Sequence, residues 1–378
     1  MKIAIMTQPL GRNYGGIMQA WALQQVLEAA GHAPVTIDRR HDRKGRIYNL
    51  VRMSKRAVKK AVGRWSVPLN FERYMPEILF NTRNFIEKNI VLSEPLFSTA
   101  DLRCHFSREQ YDAVIVGSDQ TWRPKYSPNI YNFFLDFLSD SNIKRLAYAA
   151  SFGVDDWEFS PTQTERCMAL VKKFDVIGVR ELAGVELCEQ HLGVCASHVL
   201  DPTLLLDKEN YQRMLIGKQV LESKGVYTYI LDQLSWKSQV VDHVSELLCL
   251  PVYRNQANSS MAQLKSSNIS DYVMPSVKGW VKGFLEADFV VTDSFHGMVF
   301  SIIFNKPFVA LVNSGRGASR FYSLANQLGL SGRLVTCFSK EEIQAVVDVP
   351  IDYKAVNNNL DLARKQSERF LYESLSEG

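Results

Sequence analysis

The sequence has no apolar run of the roughly 18 residues that a membrane-spanning helix needs. Its first ten residues, MKIAIMTQPL, contain one lysine and then the pattern of a buried strand, unlike a secretory signal. The six cysteines form no C-x-x-C pair and have no histidine at the spacing of a zinc site. We therefore predict a cytoplasmic protein with reduced core thiols, no metal site and no disulfide framework.

The chain as a whole also has no large excess of charge of one sign, since its formal net charge is only +4. The exception is the segment 39–64, which has eleven arginines and lysines and one acidic residue, Asp42. Within it, the apolar residues of 47–65 recur at helical spacing between basic ones, which predicts a basic amphipathic helix. Its apolar side could pack on the protein or enter a membrane surface. The aromatic interleaving of an RNA-binding site is missing, so we predict no nucleic-acid partner.

What the sequence has in quantity is alternating strand and helix patterns. With 378 residues, 46% of them hydrophobic, the chain is long enough for the two domains of an enzyme. The alternation runs over 1–206 and again over 225–345, with a polar stretch at 207–224 between them. A final helix at 355–378 could pack back on the first domain. The predicted fold is α/β, with two facing Rossmann-like domains.

Polar residues follow most of the predicted strands of the first domain. Because parallel strands end at one edge of a sheet, these residues should share a ligand-binding face. They are Asn13, Gly15, Ser118, Asp119, Ser151, Arg180 and Asp201. Gly15 and Gly16 either let the backbone approach an anion at the start of a helix or form a turn that needs positive φ.

The stretch 288–312 is the pattern around which the rest of the chain is organised. It predicts a strand, a polar loop that contains Ser294 and His296, a buried helix and a second strand. An imidazole in such a loop suits acid–base chemistry, although it could instead cap the helix or lie in the core.

Six short motifs, taken in order, resemble the polysaccharide pyruvyl transferase family over residues 3–330. They are 13–16 with 19–24 (NYGG and QAWALQ), 116–122 (VGSDQTW), 148–153 (YAASFG), 179–181 (VRE), 200–203 (LDPT) and 292–297 (TDSFHG). The resemblance implies a fold similar to the glycosyltransferase B type. It also implies transfer of a pyruvyl group from phosphoenolpyruvate, the donor substrate, to two hydroxyls of a sugar as a ketal, without a cofactor.

By this resemblance, His296 corresponds to the catalytic histidine of the family and Arg180 to an arginine of the donor site. Many members have an arginine two residues before that histidine, where this chain has Ser294. Either Arg316 or Arg320 supplies the missing charge, or the donor differs. Guanidinium groups and helix N-termini suit an anionic donor such as phosphoenolpyruvate.

Two further candidates keep alternative interpretations. Asp119 could orient the sugar hydroxyls or act as a second base, or it could cap a helix after Ser118. Arg180 and Glu181 could form an ion pair at the surface instead of a donor site.

Three functions are compatible with these patterns. The first is a pyruvyl transferase in the assembly of a surface glycan such as a capsule or exopolysaccharide. Its acceptor would be a sugar or a lipid-linked oligosaccharide, and the basic helix would contact an anionic membrane. The second is a glycosyltransferase with a nucleotide-sugar donor, because a fold does not fix the chemistry. The third is a non-catalytic membrane-associated binding protein. The six motifs and the absence of an Asp-x-Asp motif beside a strand favour the first.

Overall fold

The computed structural model describes residues 1–43, 45–64, 67–138, 142–215, 225–258, 261–313 and 317–376. In this part of the chain, the strands form two sheets that are parallel throughout. The first sheet has the order β2-β1-β3-β4-β5-β6, and its strands are β1 (Lys2–Met6), β2 (Ala33–Thr36), β3 (Ala113–Val116), β4 (Lys144–Ala150), β5 (Val176–Val179) and β6 (Ser197–His198). The second has the order β11-β10-β9-β7-β8, with β7 (Val226–Tyr229), β8 (Val252–Arg254), β9 (Phe289–Thr292), β10 (Phe308–Leu311) and β11 (Leu334–Val335).

Helices connect the strands and cover the sheets. The first sheet is accompanied by α1 (Tyr14–Ala29), α2 (Arg46–Ala61), α3 (Met75–Ile78), α4 (Phe80–Asn89), α5 (Thr99–Arg108), α6 (Pro161–Val171), α7 (Leu182–Leu187) and α8 (Lys208–Met214). The second is accompanied by α9 (Ser235–Leu248), α10 (Val277–Leu285), α11 (Phe295–Ile303), α12 (Ser319–Leu328), α13 (Lys340–Asp348) and α14 (Tyr353–Ser376). Strands β3, β9 and β10 are short apolar runs that are buried along their whole length, as expected for parallel strands with both faces covered.

The start of α1 joins the two sheets into one body. Tyr14 stacks on Trp280 of α10 with a ring separation of 5.3 Å, and its hydroxyl donates a hydrogen bond of 2.7 Å to the carbonyl of Pro275. A second contact is made by the backbone N–H of Leu182, which donates to the hydroxyl of Ser323. One apolar core therefore continues from the first sheet into the second.

The last helix, α14, touches both halves. At its start, the hydroxyl of Tyr353 donates to the carbonyl of Lys306, and further along Ser367 accepts a hydrogen bond of 3.0 Å from the backbone N–H of Leu200. Phe370 then packs against Tyr148 of β4. The helix thus starts on the second sheet and crosses to the first.

Each sheet reverses its strand order at one point, between β1 and β3 in the first and between β7 and β9 in the second. Loops that leave neighbouring strands in opposite directions separate there, and the resulting crevice at the carboxyl ends is where open α/β sheets bind ligands. The fold therefore predicts a ligand-binding site among the loops after β1, β3, β7 and β9.

Several sequence-based expectations differ from the structure. Helix α2 begins at Arg46 and ends at Ala61, so it is shorter than the predicted 47–65, and residue 65 lies outside the described residues. Residues 216–224 of the predicted boundary also lie outside them. Of the six cysteines, only Cys167 and Cys188 are buried, so the expectation of core thiols is wrong for the other four. None of the described helices combines the length and hydropathy of a membrane span.

Candidate active site

A cleft of about 610 Å³ lies at the carboxyl ends of both sheets, where the two reversal points meet. The loops after β1, β3, β7 and β9 supply most of its wall. The lining residues are Gln8, Pro9, Arg12, Asn13, His41, Asp119, Gln120, Lys125, Tyr126, Tyr229, Leu231, Asp293, Ser294, Phe295, His296, Asn313, Arg320 and Phe321. Five of them, Asn13, Asp119, Ser294, His296 and Arg320, are residues that the sequence proposed for the site.

His296 lies in the first turn of α11, not in a loop before it. The loop prediction was wrong because the helix begins directly after Ser294, which is its N-cap residue. The imidazole packs on Gly15 of α1 so closely that a Cβ there would lie 2.0 Å from Nδ1. Neither Gly15 nor Gly16 has positive φ, so the turn interpretation is wrong. Gly15 is needed because the catalytic candidate of one sheet rests against a helix of the other.

Asp201 lies behind this imidazole and holds a fixed negative charge. Its Oδ2 is 3.6 Å from His296 Nε2, and the same oxygen accepts hydrogen bonds from Arg180 Nη1 at 3.0 Å and from the amide of Gln19. Its Oδ1 accepts from the backbone N–H and the hydroxyl of Thr203. Burial alone would raise the pKa of Asp201, but His296, Arg180 and Thr203 hold it well below its ordinary value. The carboxylate is therefore ionised at neutral pH and can orient the ring of His296.

Arg180 is placed behind the cleft and does not line it. Its guanidinium is buried, and besides Asp201 it faces Asp119 Oδ1 at 3.8 Å and Glu181 Oε2 at 4.0 Å. Glu181 is buried too, and its Oε1 accepts hydrogen bonds from the hydroxyl of Ser151 and from two backbone N–H groups. The interpretation as a surface ion pair is therefore wrong. The geometry makes Arg180 the centre of a buried network that fixes Asp119 and Asp201.

Asp119 and Ser118 follow β3, but they face different surroundings. Ser118 is buried and accepts a hydrogen bond of 2.7 Å from the amide of Gln19, so it lies behind the wall of the cleft. Asp119 faces the cleft, where its Oδ2 accepts from the amide of Asn13 at 3.0 Å and its Oδ1 from the N–H of Gln120. No helix starts directly after Ser118, because the next helical element of the described residues begins at Ile130, so the capping interpretation of Asp119 is wrong. The Asp119 carboxylate can accept a proton or a hydrogen bond from a ligand.

Arg320 contributes a buried cation to the cleft wall. Its guanidinium and that of Arg180 both lie over the ring of Phe295, at 5.4 and 5.1 Å from the ring centre. Burial, and then the like charge of Arg180, lower the pKa of Arg320 to about 10. The group remains protonated at neutral pH, so it can attract an anion in the cleft. Arg316, the other candidate for this charge, lies outside the described residues.

Two helices begin at the cleft. The N-cap residues are Asn13 for α1 and Ser294 for α11, and neither side chain caps its own helix. The backbone N–H groups of a first helical turn have no acceptor within the helix, and the helix dipole favours negative charge there. Both starts can therefore contribute to binding an anion in the cleft.

The sequence did not predict several polar residues of the wall. Arg12 belongs to the loop after β1 and directly precedes the motif at 13–16, so its position could have indicated a residue of the site. His41, Lys125 and Asn313 come from segments without a motif, so only the fold brings them to the cleft. Gln19 belongs to the motif at 19–24, and its amide donates to Ser118 and Asp201. A polar residue within an apolar helix pattern is a signal for such a buried partner.

Comparison with known proteins gives a family and a fold. A family model described as polysaccharide pyruvyl transferase matches residues 13–315. Curated protein sequences gave no match. Among solved structures, UDP-GlcNAc 2-epimerase from Neisseria meningitidis, bound to UDP-GlcNAc, aligns over 100% of both chains with 10% identity and a TM-score of 0.58. The 2-epimerases from Methanocaldococcus jannaschii (14%, 100% of both chains, TM-score 0.53) and Rickettsia bellii (9%, 100% of this chain and 96% of that one, TM-score 0.53) are also similar.

At these identities the structural likeness concerns the fold alone. It confirms the predicted architecture of two facing Rossmann-like domains, similar to the glycosyltransferase B type. The family match covers more than half of the chain and includes all six motifs as well as His296 and Asp119. The chain therefore belongs to the polysaccharide pyruvyl transferase family and is an enzyme of polysaccharide biosynthesis.

Proposed function

We propose that the enzyme transfers the pyruvyl group of phosphoenolpyruvate to two hydroxyls of a sugar, as a ketal, during assembly of a surface polysaccharide such as a capsule or exopolysaccharide. The observation that carries this proposal is Arg320, a buried guanidinium in the wall of a cleft at which two helices begin. Such a site favours a small ligand with more than one anionic group. Phosphoenolpyruvate has a carboxylate and a phosphate on the same carbon atom.

The donor would be held by charge. Arg320 can form a paired hydrogen bond to the carboxylate or the phosphate, and the starts of α1 and α11 offer backbone N–H groups. Arg12 and Lys125 add positive charge to the same cleft. No arginine is needed at Ser294 in this arrangement, because Arg320 brings its charge to the cleft from α12.

The reaction requires two proton movements. The oxygens of two sugar hydroxyls bond to the central carbon of the donor, its methylene carbon gains a proton and becomes a methyl group, and the bond to the phosphate oxygen breaks. One hydroxyl proton is thus retained on the methyl carbon, and the other leaves with phosphate. His296, oriented by Asp201, would donate and accept these protons, while Asp119 and Asn13 would orient the attacking hydroxyl.

The acceptor would enter from a smaller cavity beside the cleft. This cavity, of about 210 Å³, shares Arg12, Tyr229 and Leu231 with the cleft, and Gln256 and Asn258 add polar groups to its wall. From there a sugar could extend past these shared residues into the cleft, which His296 lines. We propose that this sugar is part of a lipid-linked oligosaccharide, presented to a cytoplasmic enzyme in contact with the inner face of the membrane.

The choice of donor is tested by a thermal-shift screen that compares phosphoenolpyruvate with nucleotide sugars. A ligand at about 100 times its dissociation constant stabilises the folded state by about 2.7 kcal/mol, which raises the melting midpoint of such domains by several degrees. We expect this shift with phosphoenolpyruvate. A shift with a nucleotide sugar and none with phosphoenolpyruvate would show that the enzyme uses a nucleotide-sugar donor.

The two buried arginines should respond differently to the same substitution. Arg320→Gln removes a cation that would contact the donor before and during the reaction, so we expect a higher KM for phosphoenolpyruvate with a smaller change in kcat. Arg180→Gln leaves Asp119 and Asp201 without their common counter-ion, and breaking a buried pair costs about 3–5 kcal/mol. We therefore expect a large loss of stability instead.

Chemical denaturation and steady-state kinetics on both variants separate these roles. If Arg320→Gln keeps the wild-type KM for phosphoenolpyruvate, Arg320 does not bind the donor. If Arg180→Gln is as stable as the wild type, the buried network does not support the site.

A further inference from the structure

Helix α2 is attached to the protein by its basic residues. Arg56 donates to the carbonyl of Leu69 and to the carboxylate of Glu72, each at 3.0 Å, and Arg52 reaches Glu72 at 3.2 Å. The guanidinium of Arg56 also lies over the ring of Phe71. Burial would raise the pKa of Glu72, but the hydrogen bond from Arg56 and the charges of both arginines lower it below its ordinary value. A carboxylate that is ionised at neutral pH therefore fixes the inner side of the helix.

The apolar side of α2 faces away from the protein. At about 3.6 residues per turn, Ile47, Leu50, Val51, Val58 and Val62 lie opposite the side that meets Glu72. Their exposed fractions are 79%, 68%, 48%, 63% and 61%. A surface helix of a globular protein normally turns its apolar stripe inward, because exposure of that stripe to water is unfavourable. The inverted orientation indicates that something covers these side chains.

The charge of the helix identifies what covers it. Residues 46–61 contain six arginines and lysines and no acidic residue. Lys55, Lys59 and Lys60 are exposed, with Lys55 at the edge of the apolar stripe and the other two on the polar side of the helix. A groove of about 320 Å³ beside Tyr48 is lined partly by Lys55 and Lys59. An apolar stripe on a helix whose other side carries exposed ammonium groups matches an anionic bilayer, in which hydrocarbon lies beneath a layer of phosphates.

We propose that α2 is the membrane-docking element of this protein, with its apolar stripe in the headgroup layer of an anionic membrane and its lysines on lipid phosphates. The helix starts five residues after His41, which lines the cleft. Docking would therefore hold the cleft beside the bilayer, within reach of a lipid-linked acceptor. The binding itself is independent of the proposed pyruvyl transfer, although its use depends on that function.

Sedimentation of the full chain with vesicles tests the charge component. We expect binding that grows as phosphatidylglycerol replaces phosphatidylcholine and that salt reverses. Replacing Lys55, Lys59 and Lys60 by glutamine should weaken binding about 5-fold per charge, or roughly 100-fold in total. Arg52 and Arg56 stay unchanged, because they attach the helix. The matched control replaces the exposed Lys172, Lys340 and Lys354 by glutamine, which removes the same charge elsewhere, and it should keep binding.

The double variant Leu50→Ser, Val58→Ser tests the apolar component. Both side chains are exposed, so we expect an unchanged melting midpoint and an unchanged thermal shift with the donor. Vesicle binding should be weaker by about tenfold or more. Equal recovery with neutral and anionic vesicles would overturn the proposal. So would equal losses in the lysine variant and its control. A dimer in analytical ultracentrifugation that this double variant abolishes, without any dependence on lipid, would assign the stripe to a second copy of the chain.

Discussion

Replacing His296 by alanine should reduce pyruvyl transfer by about 10²–10⁴-fold, the usual contribution of a positioned acid or base. In the proposed reaction, the proton that moves to the methylene carbon of the donor and the proton that leaves the sugar hydroxyl both need an acid or a base at this point of the cleft. The Asp201 carboxylate lies 3.6 Å from Nε2, where its charge can orient the ring, but it does not line the cleft. His296→Gln should lose slightly less activity, since the amide retains part of the hydrogen bonding. Rates at saturating phosphoenolpyruvate measure this effect.

His243→Ala is the control for this substitution. His243 lies on α9 of the same half of the molecule and outside the cleft, so its loss should leave the rate unchanged. Both alanine variants should melt as cooperatively as the wild type. A His296→Ala variant that folds normally and turns over near the wild-type rate would remove His296 from the chemistry.

Gly15→Ala should inactivate the enzyme almost as strongly, although it changes no polar group. The added Cβ would lie 2.0 Å from His296 Nδ1, so the imidazole has to move. A misplacement of about 1 Å at a catalytic group can cost about 10²-fold in rate. Alanine favours the helix by about 1 kcal/mol over glycine, but overpacking costs about 1–3 kcal/mol, so we expect a net loss of stability. Activity and chemical denaturation measure the two effects.

The double variant Gly15→Ala, His296→Ala shows whether the ring is the cause. Without the imidazole, the atoms that the new Cβ would meet are gone, so Gly15→Ala should become neutral or slightly stabilising in that background. Gly332→Ala is the control in the wild type, because a Cβ there meets nothing within 4 Å. Additive losses of stability in the double variant would show that Gly15 and His296 do not constrain each other.

The patterns of the sequence predicted much of the fold, for a physical reason. Strands that are covered on both faces must be continuously apolar, so VVT before Asp293 and FVAL after Pro307 can be recognised without a structure. The strand ends also predicted that Asn13 and Asp119 would lie at the same edge of the sheet, where their side chains form a hydrogen bond. Element boundaries were harder to predict, since α11 already starts at Phe295 although the side chain of Ser294 does not cap it.

The sequence could not separate residues in the cleft from residues behind it. Arg180 and Arg320 are the same residue type, and both lie over the ring of Phe295. Contacts between distant segments separate them, since Arg180 is paired with Asp119 and Asp201 behind the cleft, whereas Arg320 of α12 lines it. The direction of the stripe on α2 was equally inaccessible. A helical pattern defines an apolar side, whereas Glu72 decides that this side faces outward.

The most direct test of the proposed function follows the carbon atoms of the donor. The protein is incubated with phosphoenolpyruvate labelled at the methylene carbon and with a panel of soluble and lipid-linked saccharides, and the products are examined by NMR together with a phosphate assay. We expect a labelled methyl group on a ketal carbon and inorganic phosphate in equal amount, both lost with His296→Ala. Transfer of a sugar from a nucleotide sugar to the same panel, with phosphoenolpyruvate left intact, would contradict the assignment of the donor and of the reaction.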